Sequence, residues 1–322
     1  KQRQLLSGVR FDHVVESSAG IYLQNSLRWF EKFRTVAGIR SDFYQVKVAS
    51  DNPANSGAGT YSITNPKLSM ILGPWVQTEF FVNMGGGFHS NDARGTAITT
   101  TPGTGAGSNL PAEKSPMLVR SRGYETGVRT AAVSGLKSSL SLYVLDFDSE
   151  IVFQGDAGTT SAGRPSRRIG FEFANYYAPT SWLTIDADIS YAHARFTNQD
   201  PTVSGNYIPG AVEGVASLSA AVNNMGPYFG SLRLRYFGPR SLIEDNSVRS
   251  NATTVLNGRI GYKFNKNLVL AMEGFNLLDK KASMIDYYYT SRLSGEPADG
   301  VADIHAHPIE PRSFRLNVVY YF

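Results

Sequence analysis

The chain ends in Ser313-Phe314-Arg315-Leu316-Asn317-Val318-Val319-Tyr320-Tyr321-Phe322. Every second side chain from Phe314 to Phe322 is apolar, and the side chains between them are mainly polar. Successive side chains of a β-strand point to opposite sides. The alternation therefore predicts a strand with one apolar face and one mainly polar face.

The same period of two recurs upstream, in residues 183–191, 231–236, 256–264 and 268–273, and helical periodicity is scarce. Short breaks at Glu31-Lys32, Gly73-Pro74, Gly135, Pro179-Thr180, Gly226-Pro227 and Asn265-Lys266 alternate with longer polar stretches near residues 49–59, 89–116, 154–165, 197–210, 238–250 and 293–311. This spacing predicts hairpins with one short and one long connection, about 14 antiparallel strands of roughly 10 to 16 residues. Strands of that length suit a tilted membrane crossing, so the predicted fold class is all-β, an antiparallel transmembrane β-barrel.

Composition excludes several other classes of protein. The 322 residues include no Cys, which excludes a disulfide scaffold. The 31 Lys and Arg against 27 Asp and Glu give a small, evenly spread positive charge, so we expect no nucleic-acid partner. No apolar run approaches the roughly 18 residues of a spanning helix.

The aromatic residues distinguish the two ends of the predicted strands. All three Trp residues, Trp29, Trp75 and Trp182, lie beside short turns, and the chain ends in an aromatic residue on the same side. Transmembrane barrels carry aromatic girdles at the membrane interfaces and have short turns on the periplasmic side. The short turns are therefore predicted to be periplasmic.

Four segments carry a resemblance to one family. Residues 276–281, Asn-Leu-Leu-Asp-Lys-Lys, resemble an Asn-Leu-Phe-Asp-Lys signature of a penultimate strand, and residues 310–314 with the terminal Phe322 are similar to a last strand. Residues 88–95 resemble an outer strand end, and residues 22–25 with 34–42 are similar to a mid-barrel hairpin. In this order, the segments resemble those of TonB-dependent outer-membrane receptors.

The resemblance implies a plugged barrel of about 22 strands, of which this chain resembles strands 9 to 22. It implies that residues 1–322 are a single, partial outer-membrane β-barrel domain in a Gram-negative bacterium. The implied partners are outer-membrane lipid, TonB through a plug domain not present in this chain, and the barrel-assembly machinery, which reads Phe322.

The resemblance also implies a receptor for a scarce nutrient, such as a ferric siderophore, that binds its ligand with outer loops and lumen-facing side chains. We expect no cofactor and no enzyme activity, because the chain lacks a Cys nucleophile, a nucleophile elbow and a phosphate-binding loop. The candidate ligand-binding residues are Arg94, Arg233, Arg235 and Arg259. We also predict that a set of charged residues faces the lumen, and we expect its members to pair across neighbouring strands. These residues are Arg233, Arg235, Arg259, Arg315, Asp186, Asp188, Glu172 and Glu273.

Two features of the long loops give further expectations. Asp303, His305 and His307 alternate, so an extended backbone would place all three on one face, and imidazole with carboxylate suits a transition metal. The stretch near residues 89–116 is poor in apolar residues and is expected to be mobile.

Two alternatives to a receptor barrel stay open. One is a self-contained 14-stranded outer-membrane diffusion channel, in which a strand near residues 4–11 pairs with residues 312–322. The other is a soluble binding protein with two packed β-sheets, which would turn its apolar faces inward. Strand order and the exposure of the apolar face distinguish these three structures.

Overall fold

The computed structural model describes residues 11–101, 109–154 and 159–322. Within these residues the strands are β1 (Asp12–Phe30), β2 (Phe33–Ser50), β3 (Gly57–Trp75), β4 (Thr78–Ser90), β5 (Leu118–Thr130), β6 (Leu136–Phe147), β7 (Ile151–Gln154), β8 (Thr159–Ala162), β9 (Ser166–Tyr177), β10 (Leu183–Phe196), β11 (Gly214–Met225), β12 (Tyr228–Phe237), β13 (Thr253–Lys263), β14 (Leu268–Phe275), β15 (Ser283–Ser291), β16 (Val301–Pro308) and β17 (Ser313–Tyr320). A 3-10 turn covers Pro53–Asn55, and a short helix, α1, covers Ala93–Ala97. No helix in the described ranges is long and apolar enough to cross a membrane.

Thirteen strands form one antiparallel sheet in the order β1-β2-β3-β4-β5-β6-β9-β10-β11-β12-β13-β14-β17. The predicted all-β antiparallel architecture is confirmed. The sheet strands range from 8 residues in β14 to 19 in β1. Two hairpins, β7-β8 and β15-β16, lie apart from this sheet, inside two of the long connections.

The described sheet has two free edges. β1 and β17 stand at its opposite ends, and within the described residues neither pairs with a second neighbour. The expected strand near residues 4–11 lies outside the described residues, except for Phe11, which is not in a strand. Closure of a 14-stranded channel by that strand therefore stays a prediction.

The pairing register assigns each side chain to one of two faces, because directly paired residues of antiparallel strands point to the same side. One row of residues paired across successive strands runs from Phe314 through Gly274, Gly258 and Leu232 to Ala220. We call the side of the sheet to which this row points the apolar face. The next row contains charged side chains, described below, and we call its side the polar face.

The apolar face is exposed. Leu316 retains 66% of its accessible surface, Ile260 62% and Leu232 55%. Packing between two sheets would bury these side chains. The soluble two-sheet alternative is therefore wrong, and the exposed apolar face is the arrangement of a barrel whose outside meets lipid.

Turns of two to five residues join neighbouring strands at one end of the sheet, which we call the short-turn end. Five lie where the sequence predicts them, at Glu31-Lys32, Gly135, Pro179-Thr180, Gly226-Pro227 and Asn265-Lys266. The sixth prediction is wrong by a few residues, because β3 continues through Gly73-Pro74 and the chain turns at Val76-Gln77. The longer connections lie at the opposite, long-loop end.

The tryptophans lie at the short-turn end, as predicted. Trp29 and Trp75 lie in the last residues of β1 and β3, and Trp182 directly precedes β10. Their exposed fractions are 55%, 43% and 38%. Exposed rings at one level of the sheet are typical of an interfacial girdle.

Aromatic rings on the polar face lie directly against glycines of the neighbouring strand. Phe229 is paired with Gly261, and a Cβ atom added there would lie 2.1 Å from the Phe229 ring. Tyr143 lies in the same way over Gly170, at 2.6 Å. Each glycine therefore makes room for a ring that lies along the wall of the sheet.

Buried side chains gather at the long-loop end. One cluster contains Val46, Val48, Ala93, Ala97 and Met117, and a second contains Ala194, Phe196 and Ile208. The first corrects the expectation of a mobile stretch near residues 89–116: its described part includes α1, which packs against Met117 and against β2. Its centre, residues 102–108, lies outside the described residues.

Candidate ligand-binding surface

Basic side chains dominate the polar face of the last strands of the sheet. Between β12 and β17 this face carries Arg233, Arg235, Arg259, Lys263 and Arg315, with Glu273 as its carboxylate. We call these six residues the basic wall. The predicted positions of its four arginines and of Glu273 on one face are confirmed by the register.

Glu273 is shared by two arginines of the basic wall. Its carboxylate lies 3.7 Å from the Arg259 guanidinium and 3.9 Å from that of Arg315. Arg259 also lies over the Phe229 ring, 5.2 Å from the centroid. The expected pairing across neighbouring strands is therefore present here, and it leaves the basic wall with an excess of positive charge.

Arg233 and Arg235 are the candidates most available to a ligand. Both are exposed, and neither forms an ion pair within the described residues. Their β11 neighbours are Ser219 and Ser217, and the same rows continue to Asp186 and Asp188 on β10. Because two inter-strand spacings of about 4.8 Å separate β10 from β12, each carboxylate stands near its arginine without contacting it.

Arg94 is already engaged. Asp92 caps α1 by accepting from the Arg94 amide at 2.9 Å, and the same carboxylate accepts from Arg94 Nε at 2.9 and 3.0 Å. Hydrogen bonding to Asp92 raises the pKa of the Arg94 guanidinium above its ordinary value. The structure therefore places Arg94 in a local ion pair at the start of α1, apart from the basic wall.

A second charged group, which sequence reasoning did not select, lies on the polar face at the short-turn end. Glu79 binds Arg34 at 2.7 and 3.1 Å and Arg129 at 2.8 Å. The three residues come from β2, β4 and β5, so their contact depends on a register that local patterns do not contain.

Asp303, His305 and His307 lie on β16, so the predicted extended backbone is confirmed. His305 stacks on Tyr289 of β15, with the ring centroids 3.8 Å apart, and Asp303 accepts from the Ile304 amide at 2.7 Å. In the part of the chain that the structure describes, no group of three His, Asp or Glu side chains is arranged to hold a metal ion. The metal-site expectation is therefore corrected: alternation aligns the three residues along a strand but does not gather them around one point.

The long connections are linked to one another by buried polar contacts. Asn55, 1% exposed, accepts from the amides of Thr99 and Thr100 at 2.9 and 3.0 Å and donates to the Thr100 carbonyl at 3.0 Å. Arg240, in the β12-β13 connection, binds Asp286 of β15 at 2.7 Å, and their side chains are 14% and 7% exposed. These contacts build a folded surface at the long-loop end.

The Asn-Leu-Leu-Asp-Lys segment begins directly after β14 and organises the connection from β14 to β17. Asn276, 3% exposed, donates to the carbonyls of Lys280 and Glu310 at 3.0 and 3.1 Å and accepts from the Lys280 amide at 3.0 Å. Asp279 accepts from the Arg312 amide at 3.2 Å. The segment thus holds both ends of the connection that contains β15 and β16.

Long antiparallel strands, an exposed apolar face, short turns at one end and folded loops at the other define a β-barrel of the outer-membrane class. The chain belongs to the TonB-dependent receptor-like β-barrel family, whose model matches residues 4–277. This family consists of Gram-negative outer-membrane transport receptors, which bind small-molecule nutrients and reach TonB through a plug domain.

Solved structures share this fold at low sequence identity. The ferric-catecholate import receptor Fiu of E. coli is 17% identical with a TM-score of 0.72, over 97% of this chain and 45% of that one. The siderophore receptor PiuA of Acinetobacter baumannii is 16% identical with a TM-score of 0.71, over 96% and 44%. The copper transporter OprC is 16% identical with a TM-score of 0.70, over 96% and 48%. The chain therefore spans about half the length of these proteins.

Proposed function

We propose that this barrel is part of an outer-membrane receptor that takes up a scarce nutrient of the ferric-siderophore type, and that the ligand is anionic. The basic wall carries this proposal, because five cationic side chains and only one carboxylate lie on the same face of these neighbouring strands. A surface that carries mainly charges of one sign raises the local concentration of ligands of the opposite charge. Fiu and PiuA are described as receptors for a ferric catecholate and a siderophore, whereas OprC is a copper transporter.

The four candidate arginines take different roles in this proposal. Arg233 and Arg235 contact the ligand, because their guanidinium groups are exposed and have no carboxylate partner within the described residues. Arg259 contributes positive charge, although it shares the Glu273 carboxylate with Arg315. Arg94 shapes the outer loop through Asp92.

The proposal extends to the surroundings of the chain. Residues 1–322 act as one partial barrel domain without enzyme activity, in the outer membrane, with lipid against the apolar face. TonB acts through a plug domain, and the barrel-assembly machinery reads the C-terminal Phe322, which is fully exposed.

The test is uptake by cells that carry the complete protein. Growth on limiting iron is measured with a panel of ferric catecholates, ferric citrate and a neutral ferric chelate, followed by binding titration of the ligand that restores growth. Arg233→Gln with Arg235→Gln should weaken binding of an anionic ligand by at least about tenfold, the loss expected for one charge-assisted hydrogen bond.

Arg28→Gln is the matched control, because Arg28 is an exposed arginine on the polar face of β1, far along the sheet from β12. It should leave binding unchanged. Failure of every ferric ligand to bind would overturn the proposal. Passive, non-saturating flux would instead favour the diffusion channel.

A further inference from the structure

Arginine and aspartate residues on the apolar face are concentrated in one place. Among the described strands of the main sheet, arginine and aspartate side chains on this face occur only on β5, β6, β9 and β10. The register places Arg122, Asp146, Arg167 and Arg195 in one row across these four strands. Arg120 lies one position further along the same face of β5. The row lies near the long-loop end.

Two of these arginines each bind one carboxylate, and a third binds none within the described residues. Arg122 binds Asp148 at 2.9 Å, and Arg167 binds Asp146 through two hydrogen bonds of 2.6 and 3.1 Å. Arg120 donates to the Thr64 carbonyl at 2.9 Å and contacts no carboxylate within the described residues. Three guanidinium groups against two carboxylates leave a positive charge on a face that is otherwise mainly apolar.

An apolar groove of about 350 Å³ leads from these arginines towards the short-turn end. Its lining on this face comprises Pro66, Leu68, Met84, Gly86, Arg120, Arg122 and Tyr124. Gly86 is paired with Arg122 and lines the groove beside this arginine, and a Cβ atom added at Gly86 would lie 3.0 Å from Asn65 Oδ1. Met84 and Tyr124, paired across β4 and β5, are 38% and 52% exposed.

We propose that this groove binds one phosphate-bearing, acylated lipid of the outer leaflet, with its phosphate against Arg120, Arg122 and Arg167 and an acyl chain along Leu68, Met84 and Tyr124. Guanidinium groups bind phosphate through paired hydrogen bonds and attract anionic lipid headgroups. The apolar lining suits a hydrocarbon chain, and the arginines lie at the end of the strands where headgroups meet a barrel. Asp146 and Asp148 hold Arg167 and Arg122 in place.

The experiment uses the complete protein, purified in a neutral detergent. Lipid A carrying two phosphates is titrated in and bound lipid is counted by native mass spectrometry, with the dephosphorylated lipid and inorganic phosphate as separate arms. One molecule of the phosphorylated lipid should bind. Removal of the phosphates, or Arg120→Gln with Arg122→Gln, should weaken binding by at least about tenfold.

Lys47→Gln is the matched control, because Lys47 is an exposed cation on the apolar face of β2, away from the groove. It should bind like the unaltered protein. Gly86→Leu should weaken binding while keeping every arginine, so the test holds even if the double variant fails to fold. Equal binding of the dephosphorylated lipid, full competition by inorganic phosphate, or unchanged binding by Gly86→Leu would each overturn the proposal.

Discussion

Replacing Asn276 by Ala should loosen the connection between β14 and β17 without unfolding the sheet. The substitution removes two donated hydrogen bonds and one accepted hydrogen bond from a side chain that is 3% exposed. At about 1 kcal/mol each, the loss is about 3 kcal/mol. This corresponds to an increase of roughly 150-fold in the opening equilibrium of the segment.

Amide hydrogen exchange of the complete protein measures this directly, because exchange at a protected amide reports local opening. The Lys280 amide, whose acceptor is the Asn276 side chain, should exchange roughly 150-fold faster. The Arg312 amide, bound to Asp279 in the same segment, should follow in the same direction. Amides in the centre of β14 should keep their protection.

The control is Asn224→Ala near the end of β11. Asn224 has a φ of 56°, close to the 47° of Asn276, but it is exposed and its side chain forms no hydrogen bond within the described residues. Both variants carry the cost of placing Ala in a left-handed conformation, so the difference between them isolates the three hydrogen bonds. Equal effects of the two substitutions on their local amides would refute the argument.

Three other perturbations test the outer loops. Asn55→Ala should raise exchange at the two loop amides that Asn55 binds by at least about tenfold, and unchanged exchange would contradict its linking role. Asp286→Asn removes the charge that Arg240 meets at 2.7 Å, so limited proteolysis should cut the β14-β17 connection sooner, whereas an unaltered cleavage rate would argue against the ion pair. Hydrogen bonds from the Thr202 hydroxyl and amide lower the pKa of Asp200 below its ordinary value of 3.8. These hydrogen bonds therefore stabilise the turn above pH 3.8, and this stabilisation is lost as the pH falls through the lowered pKa of Asp200. The NMR resonance of the Thr202 amide should shift in that pH range. In Asp200→Asn the same resonance should not shift.

The sequence predicted the two faces of the sheet because β-strand geometry repeats every two residues, so Arg233, Arg235 and Arg259 could be assigned to one side without knowing their neighbours. It could not predict that Arg259 shares Glu273 with Arg315, since that contact depends on strand register. The ion pair of Arg94 is different. Asp92 stands two residues before it at the start of a helix, a local capping pattern that the sequence already contained.

The long connections were the least predictable part of the fold. The β15-β16 hairpin lies between polar stretches, and its alternation suggested a metal site at Asp303, His305 and His307 because alternation fixes only a shared face. The position of a side chain along that face depends on the strand opposite, here β15 with Tyr289. The contact of Asn55 with Thr100 crosses two loops, and no local pattern signals it.

The aromatic rings that lie over glycines on the polar face have a consequence for how far side chains project from the sheet. A ring lying along the wall takes up little of the space in front of the polar face, because the glycine beneath it makes room for the ring. At Gly261 a single added carbon would meet the Phe229 ring at 2.1 Å, and at Gly170 it would meet Tyr143 at 2.6 Å. At Gly261 one methyl group would therefore force the Phe229 ring away from the wall, so the position of this large side chain depends on the smallest residue beside it.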